Sequence, residues 1–123
     1  LLRDADALTP ALWRRMLAAL DVHGRHLARY LSTYFSPNTH LTGEALGLVY
    51  LGTLLPELAD AAAWRASGSA ILLDQVRRQV RPDGVYFEQA TQYHRYTTEF
   101  VLQLTVLGRR NGWALDRIPA LLG

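Results

Sequence analysis

At 123 residues, half of them apolar, the chain is long enough for one domain with a buried core and too short for two. No apolar run approaches the roughly 20 residues that cross a bilayer, and the absence of cysteine excludes disulfides and thiolate metal sites. The formal charge is only +2, and every basic residue is an arginine interleaved with acids rather than clustered, which argues against a nucleic-acid-binding surface.

The chain opens on Leu1 rather than methionine and closes on Leu121, Leu122 and Gly123, so it is expected to be a piece of a longer protein. Thr9 followed by Pro10 is a helix start, with a side-chain cap and proline in the first helical position. Leu12, Met16, Leu20, His23 and Leu27 then recur at helical spacing, predicting a first helix to about Tyr34. Gly24 is expected to weaken or bend it, and Asp21 with Arg25 forms a pair one turn apart. Ser36, Pro37 and Asn38 make a turn, and a second helix is predicted from about Thr39 to Leu55, ended by Pro56. Its stretch "ALGLVYLGTLL" is apolar nearly all round and must be covered on more than one side.

A third helix is predicted over about Leu58 to Val80, with Trp64, Ile71 and Leu72 inside and Asp74 beside Arg77 and Arg78 outside. Pro82, Asp83 and Gly84 then make a turn, and Val85, Tyr86 and Phe87 a short extended piece. A fourth helix follows over about Thr91 to Arg109, stopped by Asn111 and Gly112, and Asp116 starts a fifth. Short turns between successive helices predict antiparallel hairpins: an all-α fold in a single helical domain, residues 1–123.

Two clusters carry chemistry. His40 and Glu44 share a helix face one turn apart, with Asn38 just outside it. A metal would need a third ligand, for which Glu88 is the candidate; the alternative is that Asn38 or Thr39 caps the helix while His40 and Glu44 bond neighbouring loops. The second cluster, Glu88, Gln89, Gln92, Tyr93, His94, Arg95 and Tyr96, crowds a helix mouth whose free N–H groups favour an anion. The alternative there is a core stripe of Tyr93, Tyr96, Thr97, Phe100 and Leu104.

"YFSPNTHLTGEALGL", followed by "VRPDGVYFEQATQYHRYTTEF", resembles the N-terminal helical domain of the heparinase II/III-like polysaccharide lyases. The similarity runs from about Tyr30 to Gly112. It implies part of an incomplete α/α toroid of helical hairpins, followed in the whole protein by a β-sandwich domain. The implied chemistry is β-elimination on an acidic, uronate-containing polysaccharide. The enzyme neutralises the uronate carboxylate, removes the proton from the adjacent carbon and protonates the departing glycosidic oxygen.

By that resemblance Asn38 and His40 contact the carboxylate and Tyr93 is base, acid or both, while Glu44, Glu88, Gln92 and Arg95 match motif positions and are expected to bind substrate, the alternative being a scaffolding role. Related sequences often carry Asn directly before the His, where this chain has Thr39, so which residue neutralises the carboxylate is open. The family's further histidine and tyrosine, and the metal site some members have, belong to later segments. No cofactor is expected in this one, and the segment alone is expected to be inactive. The implied partners are the polysaccharide and the protein's own sandwich domain, with no nucleic acid. An enzyme acting on extracellular glycan would be periplasmic or secreted. Two other readings remain: a carbohydrate-binding relative without the elimination chemistry, and a helical-repeat interaction module. Hairpin packing puts alternate helix starts at one end of the array, so Asn38 or His40 and Tyr93 are expected to face a common groove.

Overall fold

A computed structural model of the chain describes residues 8–34 and 36–113. The described residues form four helices: α1 over Pro10–Arg29, α2 over Thr39–Leu54, α3 over Ala61–Gln79 and α4 over Thr91–Arg110. Among the described residues the only β pairing is an isolated antiparallel bridge between Val80 and Tyr86. The fold is all-α, as the helical periodicity predicts, and the antiparallel hairpins are those of a toroid segment. The predicted fifth helix from Asp116 lies outside the described residues.

Thr9 caps α1 as expected, its hydroxyl accepting the Leu12 N–H at 3.2 Å, and Asp21 pairs with Arg25 at 2.9 Å. The helix ends at Arg29 rather than near Tyr34. The cause is distant in sequence: both carboxylate oxygens of Glu44 take Ser32, from its N–H and its hydroxyl, each at 2.7 Å, and draw the chain off the helical path. α1 continues through Gly24 without a break. This glycine is buried against α3, where a Cβ would stand 2.5 Å from the Trp64 ring.

α2 is the inner element and packs against α1, α3 and α4, most extensively α3. Its buried residues include Leu41, Ala45, Leu46, Leu48, Val49 and Gly52, which is why its sequence lacks a polar face. The core cluster draws Ala45, Leu46 and Val49 from α2, Leu72 and Val76 from α3, and Val101 and Leu104 from α4. α3 begins at Ala61 rather than Leu58, because hydrogen bonds from Leu58 N to Leu55 O and from Ala61 N to Leu58 O first wind the chain through tight turns.

Backbone contacts set the helix directions. Gly52, near the end of α2, lies on Ala61 and Arg65 at the start of α3, and Gly68 lies on Ala45 and Val49, so α2 and α3 run antiparallel. The end of α3 therefore meets the start of α2, and Gln79 Nε2 donates to Pro37 O at 2.9 Å there. The turn after α3 is closed by a hydrogen bond from Gly84 N to Arg81 O and by Asp83 Oδ1 accepting the Val85 N–H at 3.0 Å. Gly84 supplies the left-handed conformation this turn needs, with φ of 83°. The predicted extended piece at Val85 to Phe87 is reduced to the single bridge, and α4 then returns antiparallel to α3 and parallel to α2. The N-termini of α2 and α4 thus share one end of the helical layer.

Candidate functional site

At the α2 mouth Asn38 is the N-cap, extended at φ −146°. Its Oδ1 accepts the His40 backbone N–H at 3.0 Å and lies 2.9 Å from His40 Nδ1. One oxygen accepting both bonds makes Nδ1 the protonated ring nitrogen and leaves Nε2 directed away from the cap. The Asn38 amide N–H groups make no hydrogen bond within the described residues, and His40 is exposed. Thr39, between them, is buried. The polar groups at this mouth are therefore Asn38 and His40, with Thr39 turned inward. Glu44, one turn further, has both oxygens committed to Ser32 and holds the α1–α2 connection along the same face.

The α4 mouth is built differently. Gln89 turns the chain into the helix with φ of 56°, a conformation seldom adopted by residues other than glycine. Ala90 occupies the cap position without a side-chain bond, so the first-turn N–H groups have no hydrogen-bond partner among the described residues. Tyr93 is 40% exposed here, which removes it from the core stripe. That stripe starts only at Thr97 and continues through Val101 and Leu104. The Tyr93 ring lies 6.4 Å from Tyr96, which stacks on Phe100 at 6.5 Å. Phe100 in turn lies 3.6 Å from where a Gly43 Cβ would stand, bringing this aromatic ladder against the second turn of α2.

Of the remaining sequence candidates, Gln92 is exposed beside Tyr93, and Arg95 is exposed, 3.6 Å from Glu99 and 5.6 Å over the Tyr96 ring. Glu88 points inward, with Oε2 buried and unpartnered. No hydrogen bond joins Tyr93 to Asn38 or His40 within the described residues. What the fold does bring together is the end of the layer on which the two mouths open. The described residues contain no group of three or more His, Asp or Glu placed to hold a metal ion, and no helix long and apolar enough to cross a membrane.

Sequence reasoning missed Tyr86. It is 1% exposed and donates its hydroxyl to Gln79 Oε1 at 3.1 Å, while its backbone N–H donates to His94 Nδ1 at 3.3 Å. Burial first, and then the neighbouring Glu88 carboxylate, push the Tyr86 hydroxyl well above the usual phenol range, so it stays a proton donor at neutral pH. The two tyrosines flanking the α4 mouth are thus set apart by environment: Tyr86 is a buried strut, and Tyr93 is open to solvent. A cavity of about 320 Å³ beside Tyr86, lined by Val80, His94, Thr97 and Val101 among others, is mainly apolar.

A layer of antiparallel helices with the α2 and α4 mouths at one end is consistent with the helical-hairpin toroid segment that the sequence resemblance implies. The pattern of the family described as Heparinase II/III N-terminus matches residues 4–121, and the chain belongs to that family. It is 34% identical over 90 residues to a heparin-sulfate lyase of Bacteroides stercoris, covering 73% of this chain and 13% of that protein. A heparin-sulfate lyase of Pedobacter heparinus is 32% identical over 92 residues, covering 74% of this chain and 13% of its own length. A third, from Bacteroides thetaiotaomicron, is 36% identical over 61 residues, covering half of this chain and 9% of that protein. The chain thus spans 13% of the length of the first two curated relatives. No solved structure matches it.

Proposed function

We propose that the protein containing this chain cleaves a uronate-containing acidic polysaccharide by β-elimination, with the α2 and α4 mouths as this segment's share of the active site. The observation that carries the reading is the Asn38–His40 pair. The cap uses the Asn38 oxygen and leaves its amide donors free, at the same end of the layer as the exposed Tyr93 hydroxyl.

In this reading the Asn38 amide donates to the uronate carboxylate, and His40 in its doubly protonated form adds its Nε2–H. These donors stabilise the negative charge that spreads onto it as the proton leaves the carbon bearing it. Tyr93, as phenolate, takes that proton. The electron pair forms a carbon–carbon double bond, and the bond from the next carbon to the glycosidic oxygen breaks. The Tyr93 hydroxyl then returns a proton to the leaving oxygen, giving an unsaturated uronate and a new chain end. None of these steps uses a cofactor.

Gln92 is placed to extend the substrate contacts from α4. Glu44 and Glu88 serve as supports, since one is bonded to Ser32 and the other is turned inward. Residues 1–123 are read as part of the toroid of a two-domain protein, whose sandwich domain completes the site. The relatives' names make a heparin-type glycosaminoglycan the first substrate to try.

The test is ultraviolet absorbance of the unsaturated product when the full-length protein meets a panel of uronate polymers. Release of such a product from at least one polymer is expected. Binding of a polymer without product would instead identify a carbohydrate-binding relative, and neither binding nor product would leave the helical-repeat module.

A further inference from the structure

Between the two helix mouths runs a chain of hydrogen bonds inside an otherwise apolar layer. Gln79, the last residue of α3, is 4% exposed. Its Nε2 donates to Pro37 O at 2.9 Å and to Gln75 Oε1 at 2.7 Å, and its Oε1 accepts the Tyr86 hydroxyl at 3.1 Å. Pro37 immediately precedes the Asn38 cap. Tyr86 is tied through its backbone N–H to His94, the neighbour of Tyr93 in the first turn of α4. A single side-chain amide therefore touches both the turn that sets Asn38 and His40 and the segment that sets the start of α4.

Stability alone does not call for this arrangement. A methionine would fill nearly the same volume without desolvating an amide, and hydrogen bonds made on folding largely replace those made to water. An apolar side chain would, however, give no direction. Two bonds of opposite polarity on one planar amide hold the Pro37 carbonyl and the Tyr86 hydroxyl at a set separation, because each bond weakens steeply when stretched or bent.

We propose that Gln79 is a positioning residue for the cleavage site, fixing the α2 mouth relative to the α4 mouth. The inference rests on the functional reading above, in which Asn38 and Tyr93 act on one sugar ring and their spacing must match that ring. Gln79 itself touches no substrate. It acts through Pro37 on one side and Tyr86 on the other.

The experiment uses the full-length protein with Gln79→Met, Tyr86→Phe and the double variant. The first readout, amide hydrogen exchange, needs no substrate. Gln79→Met should speed exchange about 10-fold or more in both 36–42 and 86–94, while amides around Val49 and Leu72 keep their protection. Tyr86→Phe should loosen 86–94 alone, because the bond from Gln79 to Pro37 survives. Unchanged protection at both mouths overturns the proposal, as does an equal loss throughout the α2–α3 core.

The second readout is turnover of a uronate polymer. Gln79→Met should lower kcat about 10- to 100-fold with KM nearly unchanged, the signature of lost transition-state geometry rather than lost binding. The double variant removes the hydroxyl that Gln79→Met leaves unpaired. It should recover part of the lost melting temperature, the Pro37 carbonyl and Gln75 Oε1 still lacking their donor, while kcat stays low. Recovery of kcat together with stability would make Gln79 a purely structural residue and overturn the proposal. If the wild-type protein releases no unsaturated product from any polymer, the functional reading fails on its own, and the exchange pattern still decides whether Gln79 couples the two mouths.

Discussion

Asn38 Oδ1 stands 3.0 Å from the backbone nitrogen of His40 and 2.9 Å from its Nδ1, so one side chain both starts α2 and orients the imidazole beside it. The two duties of Asn38 can be separated. Asn38→Ala should cost about 0.5–2 kcal/mol of stability through the lost cap. Asn38→Asp keeps an acceptor at the cap and suits the helix dipole. It should stay near wild-type stability in denaturant titration, yet lose turnover in the full-length protein, because it replaces the free amide donors with a charge that repels a uronate. Wild-type turnover in Asn38→Asp would remove Asn38 from the site.

Tyr86 gives a pH prediction. Its hydroxyl is held above the usual phenol range in the folded protein, chiefly by burial and then by Glu88. The unfolded chain releases this proton near the ordinary tyrosine value of about 10. Stability from this source is fully present below about pH 10 and is lost as pH rises toward the folded value, at no more than about 1.4 kcal/mol per pH unit. Denaturant midpoints measured through the alkaline range should fall, and Tyr86→Phe should flatten that fall. An equal slope in both proteins would contradict the assignment.

The α2–α3 contact gives a packing prediction. A Cβ on Gly52 would stand 2.7 Å from the Arg65 backbone nitrogen, which cannot rotate aside as a side chain can. Gly52→Ala should therefore destabilise by about 1–3 kcal/mol through forced separation of the helices, despite alanine's better helix propensity. A thermal melt at or above the wild-type midpoint would show that α3 shifts freely.

Where the elements are set by local chemistry, the sequence made them legible. The Asn38 cap and the Asn111–Gly112 stop gave α2 and α4 bounds within a residue of those observed. The α1 end was hidden because its cause, the Glu44–Ser32 bonding, joins residues on either side of a loop. Asn38 and His40 were visible as a spacing. Gln79 was not, since its partner Pro37 lies 42 positions away. Helical periodicity could not say whether Tyr93 was a core aromatic or an exposed one, because the stripe it would head begins one turn later, at Thr97. The same limit hid Tyr86, whose short apolar segment does not reveal which ring is buried.

The most direct test of the central claim is the rate at which full-length wild-type and Tyr93→Phe proteins release unsaturated uronate from a polymer the wild type cleaves. Tyr93 is 40% exposed and phenylalanine keeps its ring, so the variant deletes one hydroxyl with small effect on helicity or polymer binding. The account predicts turnover lower by about 100- to 10,000-fold, the range for loss of a positioned proton-transfer group. Turnover equal to wild type, with unsaturated product still formed, would show that the α4 mouth does not carry the base.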